Sequence, residues 1–72
     1  MISILKRFHS KVFIRGIPTD WDHAEMISRF GTIGPISQVY FVRNQQGQNT
    51  GKVIMTYEDD KSADLCIARF DD

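Results

Sequence analysis

The order of periodicities along the chain predicts an α+β fold in the order strand, helix, strand, strand, helix. Lys11–Ile17 and Ser37–Arg43 alternate in side-chain character with a period of two, and Gly51–Tyr57 does so again after a polar loop. Between the first and second of these stretches, and after the third, apolar residues recur at three- and four-residue spacing, as on a helix with one buried face. The chain has 72 residues, enough for one domain with a thin core, so most large apolar side chains have to be buried.

Each element has its own local reason. In Lys11–Ile17, Val12 and Ile14 take one face and Phe13 and Arg15 the other, and Gly16-Ile17-Pro18 ends the strand. Thr19 or Asp20 is expected to cap the first helix, with Asp22 and Glu25 in its first turns. Trp21, Ala24, Ile27 and Phe30 form the expected buried stripe, and Gly31 the stop. Ile33-Gly34-Pro35-Ile36 is a bend. In Ser37–Arg43, Val39 and Phe41 share the inner face, Tyr40 and Val42 the outer one. Asn44–Thr50 is free of apolar residues and contains a glycine, the composition of an exposed hairpin loop. Val53, Met55 and Tyr57 then face Val39 and Phe41 in the core. Asp59 or Asp60 caps the second helix, whose inner stripe is Ala63, Cys66, Ile67 and Phe70. The domain is expected over residues 11–72. Met1–Ser10, with two bases and no acid, reads either as a short organelle-targeting segment or as an ordinary extension whose bases help to hold a polyanion. The first reading would make the protein mitochondrial; nucleus and cytoplasm are the alternatives.

The formal net charge is zero, yet the charges are segregated. Lys6, Arg7, Lys11 and Arg15 precede the first acid, and Arg29, Arg43 and Lys52 occupy a second acid-free stretch from Met26 to Tyr57. Every carboxylate lies in Asp20–Glu25 or Glu58–Asp72, the helices and their flanks. With both helices on one side of a sheet, the molecule would have an acidic back and a basic front suited to a polyanion. Acids at helix N-termini are a structural preference in their own right, but that preference does not explain the acid-free stretches. The single cysteine, Cys66, excludes an internal disulfide and a cysteine metal cluster, and suits a buried hydrophobe. His9 and His23 have no ligand-like spacing. No apolar run approaches the roughly 18 residues of a membrane span. Neither cofactor nor membrane is expected as a partner.

Two blocks, Val12-Phe13-Ile14-Arg15-Gly16-Ile17 and Thr50-Gly51-Lys52-Val53-Ile54-Met55-Thr56-Tyr57, resemble the sheet motifs of the RNA recognition motif (RRM) family. Phe13 holds the aromatic position of the first motif, Gly51 the glycine of the second, and Met55 and Tyr57 its last core positions. Ile33, Val39 and Phe41 fit the second-strand pattern, and Ala63, Cys66-Ile67 and Phe70 the second-helix spacing. The resemblance implies a ferredoxin-like β-α-β-β-α(-β) sandwich, an antiparallel sheet with two helices on one face, the other face stacking RNA bases on aromatic rings. The fourth strand expected after Phe70 is missing or supplied from elsewhere, for instance by a strand-swapped or edge-paired second copy.

The second motif departs from the family pattern. Thr50 stands where a basic residue is usual, and Lys52 and Ile54 stand at the two outward aromatic positions. Base stacking contributes about 1–3 kcal/mol per base, so losing two platforms costs roughly 2–6 kcal/mol unless something compensates. The candidates are Tyr40 as an outward aromatic, Arg15 and Lys52 as phosphate contacts and Ile54 as an apolar contact, with Lys11, Arg43, Lys6 and Arg7 adding charge. The expected RNA-binding set is therefore Phe13, Arg15, Tyr40, Arg43, Lys52, Ile54 and Lys11. The expected function is single-stranded RNA binding within a ribonucleoprotein or RNA-processing assembly, whose protein subunits are further partners. The alternative is a protein-interaction module on the same scaffold, suggested by the aliphatic Val42 and Ile54. An acylphosphatase-like enzyme lacks its phosphate cradle, and no nucleophile–base pair is present, so no catalysis is expected.

Overall fold

The computed structural model describes residues 2–70; Met1, the start of the N-terminal segment, and Asp71 and Asp72, the end of the expected domain, lie outside the described residues. The elements are β1 (Ser3–Phe8), β2 (Lys11–Arg15), α1 (His23–Phe30), β3 (Ile36–Arg43), β4 (Asn49–Tyr57) and α2 (Asp60–Phe70). They form one antiparallel sheet in the order β1-β2-β4-β3. The sandwich is the expected ferredoxin-like α+β arrangement, and both helices bury their apolar residues in a single cluster against one face of the sheet.

The strand that completes the sheet comes from the N-terminus. Within the expected set of three strands, Lys11–Arg15 would pair on one side only. Ser3–Phe8 lies along its other side, joined to it by the two-residue turn His9-Ser10. Ile2 and Ile4 pack on the core from this edge. The folded unit therefore extends N-terminally beyond Lys11. His9 takes φ 55 in the turn, a conformation uncommon outside glycine, which is why no glycine-based hairpin signal marks it in the sequence.

The core is Val12, Ile14, Ile17, Met26, Phe30, Val53, Met55, Tyr57, Ala63 and Cys66, all nearly inaccessible. Register follows from alternation: Val12 lies opposite Met55, Val39 opposite Met55 on the other side, and Phe41 opposite Val53. Gly51, at φ 84, bends the start of β4, and its carbonyl accepts the Ile17 N–H at 3.0 Å, closing the corner after β2.

Two helix details differ from expectation. Asp22, rather than Thr19 or Asp20, is the N-cap of α1, its carboxylate accepting the Glu25 N–H at 2.9 Å. The helix starts two or three positions later than expected, and a different face of it is buried. Met26 and Phe30 are buried, Trp21 packs on the core just before the cap, and Ala24 and Ile27 are exposed. Asp59 caps α2, accepting the Ser62 N–H at 2.7 Å; hydrogen bonding from the Ser62 side chain, and then from its backbone N–H, holds the Asp59 carboxyl below the ordinary value of 3.8. Ser62 and Ala63 are buried in the first turn, where Gly34 approaches so closely that a Cβ there would lie 2.0 Å from the Ser62 hydroxyl.

Candidate nucleic-acid interface

The sheet face opposite the helices is organised in cross-strand rows. One row runs Lys6–Phe13–Ile54–Tyr40 across all four strands. The next runs Phe8–Lys11–Thr56–Gln38. Neighbouring strands lie about 4.8 Å apart, which places Phe13 and Tyr40, two strands apart in the same row, roughly 10 Å from each other. Arg15 and Lys52 continue the alternation beyond these rows and are exposed. Of the expected set, Phe13, Tyr40, Ile54, Lys11, Arg15 and Lys52 thus share one face.

Arg43 is not on this face. By alternation it shares the side of Phe41, and it pairs with Asn49, whose side-chain amide donates to the Thr19 carbonyl at 3.2 Å. Its guanidinium instead donates to the Gly47 carbonyl at 3.1 Å, tying down the β3–β4 loop. Arg7 is also turned away. It pairs with Val12 on the helix side, where it forms an ion pair with Asp64 of α2.

The face is uniformly basic. No Asp or Glu occurs in any of the four strands, while Lys6, Lys11, Arg15 and Lys52 stand on the open side. Acids are confined to the helices and the segments beside them, where two are paired, Glu25 with Arg29 at 2.7 Å and Asp64 with Arg7. Among the described residues the front therefore carries unneutralised positive charge although the net charge is zero.

Tyr40 is 55 % exposed and stands beside a depression of about 200 Å³ lined by Lys11, Gln38, Tyr40, Ile54 and Thr56. Its walls combine an aromatic ring, an apolar floor and polar groups, the mixture that holds a planar, polar base. A larger groove of about 400 Å³ lies on the helix side, lined by Thr32, Ile33, Leu65, Ala68 and Arg69; it has no aromatic wall and no row of cations. Phe13 is half-buried under the Lys6 ammonium, 5.7 Å from its ring centroid.

Sequence reasoning did not reach Phe8, which the fold sets on the same open face. A bulge at Leu5 reverses the alternation in β1, so the residue pattern alone assigns Phe8 to the wrong side.

The profile of the RNA recognition motif matches residues 12–72. The chain belongs to the RNA recognition motif family. Among curated proteins it is 32% identical over 59 residues to the RNA-binding protein MIP6 of Saccharomyces cerevisiae, covering 78% of this chain and 9% of that protein. Among solved structures, the third RRM of Gbp2 overlays with a TM-score of 0.80 at 24% identity, covering 94% of this chain and 67% of that one. The third RRM of Hrb1 gives a TM-score of 0.80 at 20% identity, covering 94% and 68%. The Rna15 RRM with bound GU RNA gives 0.71 at 18% identity, covering 82% and 64%. The overlays on Gbp2 and Hrb1 span more than residues 12–72 can supply, so they take in part of the N-terminal segment as well. As an RRM, the chain keeps Phe13 in the first motif and has Lys52 and Ile54 on its open face in place of the second motif's aromatics.

Proposed function

We propose that this RRM binds single-stranded RNA across its open sheet face, as part of a ribonucleoprotein or RNA-processing assembly and without catalysis. The observation that carries the reading is the coincidence of two independent features on one face: aromatic Phe13 and Tyr40 in a single cross-strand row, and four cations with no acid in any strand. The RNA-bound state of a structural neighbour, the Rna15 RRM with GU, supports it. Phe13 stacks one base, Tyr40 and the depression beside it take another, Ile54 supplies apolar contact between them, and Lys11, Arg15 and Lys52 meet phosphates. With Lys52 and Ile54 in place of the second motif's aromatics, the row of Phe13 and Tyr40 gives modest affinity and limited sequence reading by itself.

The test is fluorescence-anisotropy titration of labelled U-rich and mixed single-stranded RNA at two salt concentrations. Wild type is expected to bind saturably and more weakly at high salt, and Phe13→Ala to lose about 5-fold or more. Absence of binding by a folded chain would overturn the reading. The protein-interaction alternative, resting on Val42 and Ile54, would then take its place.

A further inference from the structure

Phe8 has the largest exposed fraction among the large apolar residues described, at 60 %. Burying an aromatic side chain is favourable, and here the fold leaves most of the Phe8 ring in water. The orientation is set by the backbone. Ile4 pairs with Ile14 toward the helices, Leu5 is the extra residue of the bulge, and Lys6 then pairs with Phe13 on the open face. Without the extra residue, Phe8 would fall on the side of Ile4, and Arg7 would face outward. Arg7 instead is held on the helix side by Asp64 and by the Asp60 carbonyl at 3.3 Å, which fixes the reversed alternation. Phe8 pairs with Lys11, and Phe13 is the diagonal neighbour on β2, at the roughly 7–8 Å typical of such positions. His9 packs edge-on against the Phe8 ring, with centroids 4.5 Å apart.

We propose that Phe8 is an additional base-stacking platform, so that the N-terminal hairpin, and not the second sheet motif, supplies the aromatic next to Phe13. Adjacent nucleotides of one RNA strand stack on Phe8 and Phe13, and Lys6, already over the Phe13 ring, meets the phosphate that links them. RNA is favoured over a protein partner because Lys6 and Lys11 flank the ring and, among the described residues, no carboxylate shares the face. This inference rests on the single-stranded RNA reading above and extends its site.

The experiment titrates wild type, Phe8→Ala, Phe8→Tyr and Phe13→Ala with a labelled ten-nucleotide mixed single-stranded RNA, each variant checked for fold by circular dichroism. Phe8→Ala is expected to weaken binding roughly 5- to 150-fold, and Phe8→Tyr, which keeps the ring, to stay within about 2-fold of wild type. If Phe13→Ala weakens binding while Phe8→Ala does not, the Phe8 platform is overturned and the RNA reading stands. If wild type does not bind RNA at all, the RNA reading fails and the Phe8 proposal fails with it.

Discussion

At the scale of single residues, the inner and outer positions of the same strand do different work. Tyr57, the last residue of β4, is buried, and its hydroxyl donates to the Phe30 carbonyl at the end of α1 at 2.8 Å. Burial pushes the phenol above its ordinary value of 10.0 and the nearby Cys66 thiol above 9.0. Raised folded-state values mean that the unfolded chain loses these protons first as pH rises. Stability from both groups is therefore full below about pH 9 and declines as the pH climbs through 9 and then 10. Tyr57→Phe should cost roughly 1 kcal/mol at neutral pH through the lost hydrogen bond. It should also flatten the alkaline decline, and RNA affinity should not change because Tyr57 lies on the helix side. Urea unfolding at pH 7 and pH 10.5 reads both effects, and an equally steep alkaline decline in the variant would remove Tyr57 as its source. The motif's outward positions, by contrast, hold Lys52 and Ile54, which stand on the open face and outside the buried core.

At the scale of elements, the N-terminal hairpin is the part that changes the reading of the chain. Val12, Ile14, Val53 and Met55 were legible as inner positions because strict alternation leaves no choice of face. The N-terminal strand was not legible, because Ser3–Phe8 does not alternate cleanly: the bulge places Ile4 and Arg7 on one face and Lys6 and Phe8 on the other. The start of α1 was off for a similar reason. Thr19, Asp20 and Asp22 are all competent caps, and only packing of Trp21 and Met26 selects Asp22. Removing residues 2–8 strips Ile2 and Ile4 from the core and leaves β2 unpaired along one side. The expected loss is about 2–4 kcal/mol, a large share of the stability of so small a domain, together with self-association through the bared strand. Urea midpoints and size-exclusion elution of the shortened chain check this. An unchanged midpoint would mean that β1 contributes nothing to stability.

At the scale of the molecule, charge separation turns a neutral chain into a two-faced one. For single strands, the logarithm of affinity falls with the logarithm of salt concentration by about 0.7 per phosphate neutralised. Four front cations thus set a slope no steeper than roughly −3. Lys52→Glu is expected to weaken binding to every RNA sequence tested and to make that slope shallower by about 1. Tight binding with a flat salt response would instead indicate an apolar interface centred on Ile54 and Val42. The same bookkeeping leaves Arg43 and Arg7 out, since one is tied to the loop and the other paired with Asp64.

The amino-acid sequence by itself determined the helices, three of the strands and their inner faces, the family, and the basic front on which Phe13, Arg15, Tyr40, Lys52, Ile54 and Lys11 stand. The elements, their faces and the basic front follow from periodicity and from where acids are absent, both local properties, and the family from the resemblance of Val12–Ile17 and Thr50–Tyr57 to its sheet motifs. Only the tertiary structure decided what fills the second side of Lys11–Arg15, which way Phe8 and Arg7 point, what the Arg43 guanidinium binds, and which Asp caps α1. Those outcomes depend on partners distant in the chain, such as Asp64 holding Arg7 and Phe13 facing Lys6. A bulge of one residue costs little in composition and leaves no periodic trace, yet it exchanges the two faces of a strand.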